Sequence, residues 1–292
     1  MKIIMKYVVA SVFVVSGSFA AAKEQDGKLF EAIRPGSPIT VAHALQAGSN
    51  IDEVNKEGKT ALMVALKWNN QAAVEELIRN GADLDVKDKD GNTALMQAAR
   101  WKHITGIAEE LLEAGAKLDL KNDEGETALI IAAHLGTQET ARMLVRNGAE
   151  LDVKDKDGQT ALMIAAENGH YSIATSLIAA GASLDLKDDF QRTALMLAAE
   201  MGNVNIVDGL IKEGAKLDLK NQFGNTALLI AAENNYKNIV KSLMDGGADP
   251  CIADDRGLIA LDIISSPDLK DIVRTKMEEM GKDSCLQRTE LR

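Results

Sequence analysis

The stretch Asp155-Lys156-Asp157-Gly158-Gln159-Thr160-Ala161-Leu162-Met163-Ile164-Ala165-Ala166 holds a turn and the start of a helix. Asp155 to Gly158 is turn chemistry. Asp side chains bond their own backbone, and Gly takes up a left-handed shape that other residues resist. Thr160 stands where a helix N-cap belongs, with a hydroxyl that can accept an orphan N–H of the first turn. Leu162, Met163, Ala165 and Ala166 give a short helix with a small, tightly packable face. Asn168-Gly169 breaks it. Ile173, Ala174, Leu177 and Ile178 mark a second helix at spacings of three and four, and Gly181 ends that helix as a left-handed cap. The unit is therefore turn, helix, helix and an extended link.

Outward from this unit the same pattern recurs along the chain, which outranks any local reading. Thr-Ala-Leu begins at Thr60, Thr93, Thr127, Thr160, Thr193 and Thr226, at spacings of 33 or 34 residues, and degenerates to Ile259-Ala260-Leu261. Gly-Ala closes the units at Gly81, Gly115, Gly148, Gly181, Gly214 and Gly247, while Gly48-Ser49 closes a shorter opening unit. Units that cannot bury their apolar faces alone must stack, so the period predicts an all-α solenoid of helix-turn-helix units with β-turn tips. It also explains the composition. The chain is 46% apolar but only 3% aromatic, a poor supply of rings for an ordinary core. Stacked helix pairs are filled instead by Ala, Leu, Ile and Met.

The motif resembles that of the ankyrin repeat family over about residues 27–281, as in DKDGNTALMQAA from Asp88 and NQFGNTALLIAA from Asn221. The family's Pro is replaced by Ala, and its His becomes Met63, Met96, Ile130, Met163, Met196 or Leu229. The resemblance implies that this His would join a hydrogen-bond network between repeats, so here stacking relies more on apolar packing. The domain runs over 23–281, with a cap at 27–54 and units at about 55–87, 88–121, 122–154, 155–187, 188–220, 221–253 and 254–281. Residues 282–292 form a C-terminal tail. The cap lacks Thr-Ala-Leu. Ser265 or Ser266 with Pro267 starts the closing helix, whose stripe is Leu269, Ile272, Val273, Met277 and Met280.

Residues 1–22 read as a secretory signal. Lys2 and Lys6 precede an apolar run from Tyr7 to Val15, and small-x-small cleavage patterns follow at Ser18-Phe19-Ala20 and Ala20-Ala21-Ala22. The run is too short to span a bilayer, which takes about 20 apolar residues. The expected location is the periplasm, or alternatively outside the cell, as a monomer when free. A net charge of −11 argues against nucleic acid and anionic membrane partners. Two cysteines are too few for a disulfide scaffold or a structural zinc module. In an oxidising compartment Cys251 and Cys285 allow one internal bridge, tying the tail to the last unit. A reactive thiol pair is the alternative, and it lacks a supporting His or helix-start setting.

Catalytic and metal motifs fail one by one. Gly58-Lys59-Thr60 looks like the end of a phosphate loop, but Glu53 occupies the upstream Gly position. Asp155 to Gly158 resembles a calcium loop, yet Val153 and Ile164 fill its first and last ligand slots. His43, His103, His134 and His170 occupy unrelated phases without ligand partners at metal spacing. No Ser or Cys sits in a nucleophile motif. The reading is not an enzyme, with no cofactor and no metal.

The family resemblance implies protein binding through the turn tips and the ends of the first helices. Carried onto this chain, those slots include Arg100, Trp101, Trp68, Leu135, Phe190, Arg192, Met201 and Phe223. Three of the ten rings fall in residues 1–22, and four of the remaining seven fall in these slots: Trp68, Trp101, Phe190 and Phe223. Buried rings anchor interfaces. Trp68 and Trp101 share a slot in neighbouring units and are expected to form one patch, and Phe190 and Phe223 repeat the arrangement. Lys87, Lys121, Lys154, Lys187 and Lys220 recur at one slot beside Asp85, Asp119, Asp152, Asp185 and Asp218. They read either as a basic stripe for an anionic ligand or as a charge-balanced solvated edge. The expected partner is an exported enzyme with a basic or apolar exposed site. This chain would be its inhibitor or immunity protein, for a cell-wall hydrolase for example. Support of a periplasmic redox enzyme such as a catalase, as the resemblance allows, and peptidoglycan or sugar binding are the alternatives.

Overall fold

The computed structural model describes residues 27–37, 39–101 and 105–290. The signal segment expected at 1–22 lies outside the described residues, as does His103. Helices run in antiparallel pairs: α1 (Lys28–Ala32) with α2 (Val41–Gln46), then α3 (Ala61–Lys67) with α4 (Gln71–Arg79), and α5 (Ala94–Ala99) with α6 (Thr105–Glu113). The stack continues with α7 (Ala128–Leu135) and α8 (Gln138–Arg146), α9 (Ala161–Glu167) and α10 (Tyr171–Ala179), and α11 (Ala194–Glu200) and α12 (Val204–Lys212). It closes with α13 (Ala227–Glu233) and α14 (Lys237–Asp245), α15 (Ala260–Ile263) and α16 (Pro267–Glu279), and a last helix, α17 (Asp283–Glu290). No strand forms among the described residues beyond the isolated bridge Val54–Thr60. The chain is an all-helical solenoid.

The threonines start the first helices as their slot requires. Thr60, Thr93, Thr127, Thr160, Thr193 and Thr226 each accept, on the side-chain hydroxyl, the N–H three residues on, at 3.3–3.4 Å. Ile259 has no hydroxyl to offer. There Asp262 reaches back instead, accepting the Ile259 N–H at 3.0 Å, and α15 lasts only four residues. At the other end Glu76 caps α2 from the next unit, taking the Val41 and Ala42 N–H groups at 3.3 and 2.9 Å. Gly158 sits at φ +74°, and a Cβ there would lie 2.9 Å from the Asp189 backbone N of the next tip. The turn thus needs glycine both for its shape and for the close approach.

Both helix layers supply one continuous core. The slot that the sequence leaves apolar is buried in every unit: Met63, Met96, Ile130, Met163, Met196 and Leu229. First helices pack more closely on one another than second helices do. Their Ala-rich faces, such as Ala94, Ala98 and Ala99, let the axes approach, because interaxial distance follows the side chains at the contact. The stack therefore curves with the first helices inside, and the turn tips wall one side of that concave face. Residues 283–290, expected only as a tail, form α17. A disulfide between Cys251 and Cys285, with Cα atoms 5.9 Å apart, fastens it to the end of unit 221–253.

Candidate partner-binding face

Four sets of hydrogen bonds hold neighbouring units in register and position this face. At the tips, Lys89, Asp123, Lys156, Asp189, Gln222 and Asp255 donate their N–H groups to the carbonyls of Glu57, Asp90, Glu124, Asp157, Phe190 and Phe223, at 2.9–3.4 Å. Along the far edge, the Nζ of Lys87, Lys121, Lys154, Lys187 and Lys220 donate to the carbonyls of Lys121, Lys154, Lys187, Lys220 and Ala253, at 2.7–2.9 Å. Beside them, Asp85, Asp119, Asp152, Asp185 and Asp218 accept the N–H groups of Lys117, Glu150, Ser183, Lys216 and Asp249. The lysine row is thus a row of stitches between units, with its ammonium groups already engaged. At the loops between paired helices, Asn70, Thr137 and Asn203 reach the carbonyls of Ile33, Ala99 and Ala166.

Inside the groove a second ladder joins four of the tips to their own first helices, eight residues on. Arg100 donates to Asn92 at 3.4 Å, and Gln159 to Glu167 at 3.0 Å. His134 lies 3.6 Å from Glu126, and Arg192 lies 3.7 Å from Glu200. The donor stands on the helix for Arg100 and His134 and on the tip for Gln159 and Arg192, a complementarity visible in the sequence once slots five and thirteen are compared. Burial pushes the His134 imidazole below its ordinary value, against the opposing pull of Glu126. At the first tip, the Lys59 ammonium 2.9 Å from Glu57 holds that carboxyl low.

The expected anchors divide by depth. Phe223 is 61% exposed, Phe190 47%, Met201 44% and Trp101 37%. Trp68 and Leu135 are half-buried and lean on the core. Trp68, the C-cap residue of α3, therefore offers less surface than Trp101, although they share a slot. Phe190 is braced: the Arg192 guanidinium lies 5.2 Å from its ring centroid and bonds Asp188 through Nε at 2.8 Å. The Phe side chains occupy the tips, whereas Met201 ends α11, about 10 Å along a seven-residue helix. Tyr171 and Tyr236, which the slots did not single out, are also exposed. They start the second helices, where an amphipathic pattern says nothing about a terminal residue.

Among the described residues no group of three or more His, Cys, Asp or Glu side chains forms a metal-binding set. No helix there is long and apolar enough to cross a membrane. An open groove of about 380 Å³ lies elsewhere, between α14 and α16, with Met244 and Ile272 in its walls. Lys276 reaches Asp245 there at 2.7 Å.

A family model described as ankyrin repeats matches residues 29–122, 104–188 and 173–254. Among solved structures, the ankyrin repeat domain of Bcl-3, a unique member of the IkappaB protein family, superposes with a TM-score of 0.69 at 26% identity. The match covers 75% of this chain and 100% of that one. The human ASB11 ankyrin repeat domain gives a TM-score of 0.65 at 23% identity, covering 75% of this chain and 98% of its own. No curated protein matches the sequence.

Proposed function

We propose that this chain, which belongs to the ankyrin repeat family, acts by holding another protein against its concave face. Ankyrin repeats are protein-interaction modules. The observation that carries the placement is the exposure of Phe190, Met201 and Phe223 on tips and helix ends that hydrogen bonds between units already fix. Side chains ordered before binding lose little freedom on binding, which favours affinity. The protein works in the periplasm or outside the cell, by binding and without catalysis. It is a monomer when free, and it inhibits an exported enzyme by covering its active site.

Affinity capture tests the face. The wild-type chain, used as bait on an extract of exported proteins, retains an enzyme that a Phe190→Ala/Phe223→Ala bait loses, while both baits melt at the same temperature. Equal recovery by the two baits places binding elsewhere. With the captured enzyme in hand, equimolar addition of the chain lowers its turnover. A rise in activity would replace inhibition by a supporting role.

A further inference from the structure

The charged residues of this face are sorted along the stack. Over the first two full units stand the exposed Lys56, Lys67 and Lys89, which make no ion pair among the described residues. Their acidic neighbours are Glu57, held by Lys59, and Asp90. The next two units present Asp123, Glu124 and Asp157, all exposed, against the single cation Lys156. The following two present Phe190, Met201 and Phe223, with the exposed acids Asp189, Glu200 and Glu233 beside them. A protein of net charge −11 thus carries a basic first third on its binding face, followed by an acidic middle and an end where exposed apolar side chains stand among acids.

From this order we infer that the face reads an extended segment of its partner in three sectors. Acidic side chains lie over Lys56, Lys67 and Lys89, basic ones over Asp123, Glu124 and Asp157, and apolar ones over Phe190, Met201 and Phe223. The inference rests on the reading that this face binds a protein, and it adds the partner's chemistry. Packed helices repeat about every 10 Å, so sector centres lie about 20 Å apart. An extended chain covers that distance in about six residues. The recognised segment is therefore about 14 residues long, with its acidic, basic and apolar groups about six residues apart. At physiological salt a charge is screened beyond about 8 Å, so each charged sector acts on the part of the segment above it. Like charges placed opposite a sector repel, and this repulsion rejects segments of the same composition in another order.

Two labelled 14-residue peptides test the order on the oxidised full chain by fluorescence anisotropy. One carries Glu-Glu, Lys-Lys and Leu-Phe at its start, middle and end, with Gly and Ser between; the other exchanges the two charged pairs. Turning the second peptide end for end sets Glu-Glu over the acidic sector again, so no chain direction rescues it. The first is expected to bind at least about fivefold tighter at low salt, with the ratio shrinking as salt is raised. A variant carrying Lys56→Glu, Lys67→Glu, Lys89→Glu, Asp123→Lys, Glu124→Lys and Asp157→Lys should reverse the preference. Equal affinities on the wild-type chain, binding of neither peptide, or an unchanged preference in the variant overturns the inference. If order is immaterial while Phe190→Ala/Phe223→Ala weakens both peptides, the binding face stands and the sector reading alone fails.

Discussion

Asp155 differs from its counterparts by one missing bond. The residue that opens each turn accepts two backbone N–H groups on Oδ1; for Asp155 these come from Asp157 and Gln159 at 3.0 and 2.8 Å. In Asp88, Asp188 and Asp254 the second oxygen also takes a side-chain donor, from Gln97, Arg192 or Arg256. No side-chain donor among the described residues meets Asp155, and burial pushes its carboxyl up to about 6 from 3.8. A raised carboxyl means that the fold penalises the charged form. Between about pH 4 and 6 the folded state holds more protons than the unfolded one, so this group's contribution to stability falls as pH rises through that window. Asn55, Asn122 and Asn221 make the same two bonds without a charge. Asp155→Asn is therefore expected to raise stability by about 1 kcal/mol at pH 7.5 after allowance for solvent. The gain should vanish near pH 4, with urea midpoints at both pH values as the measurement. A pH-independent gain would assign the effect to something other than the charge.

Helices α3, α5, α7, α9, α11 and α13 start at threonines that were readable as caps, because a hydroxyl before an apolar run has few other uses. The closing helix was equally legible: Pro267 stands at its first position, and Leu269, Val273 and Met277 are buried as its stripe required. Helix α17 was not legible. Asp283 to Glu290 lacks a sustained apolar period, and what holds it is tertiary: the bond to Cys251, burial of Leu286, and the Lys282–Asp249 pair at 3.1 Å. The lysine row also hid its role, since its acceptor is a backbone carbonyl of the next unit that only the stack brings near. Ring depth was hidden for a related reason, because a slot gives direction without saying how far a side chain leans. The bridge closes a loop with a sequence separation of 34. In the chain-entropy model such a loop contributes about 3–4 kcal/mol. Cys251→Ser/Cys285→Ser should speed amide hydrogen exchange in α17 and α16 and leave α7 to α11 unchanged. Uniform loss of protection along the chain would instead tie the bond to global stability.

At the scale of the whole molecule, helix packing among the described residues runs mainly between neighbouring units, with the Cys251–Cys285 bond reaching one unit further. Its stability is then close to a sum of unit and junction contributions. Deleting residues 155–187 should leave a folded solenoid, in which Lys154 meets the Lys220 carbonyl and Asp152 the Lys216 N–H. Helical ellipticity per residue is expected to stay the same, with a lower denaturation midpoint; loss of cooperative unfolding would show that this unit is not interchangeable. The two edge stitches share one direction, since lysine and aspartate both reach from a unit to the one that follows. This has a genealogical consequence. A gene segment copied in frame at this period arrives with its lysine and aspartate already placed to join the next unit, and with backbone groups already placed for the one before. Lineage can therefore lengthen the molecule without inventing an interface, while its tips and helix ends drift toward whatever they come to hold.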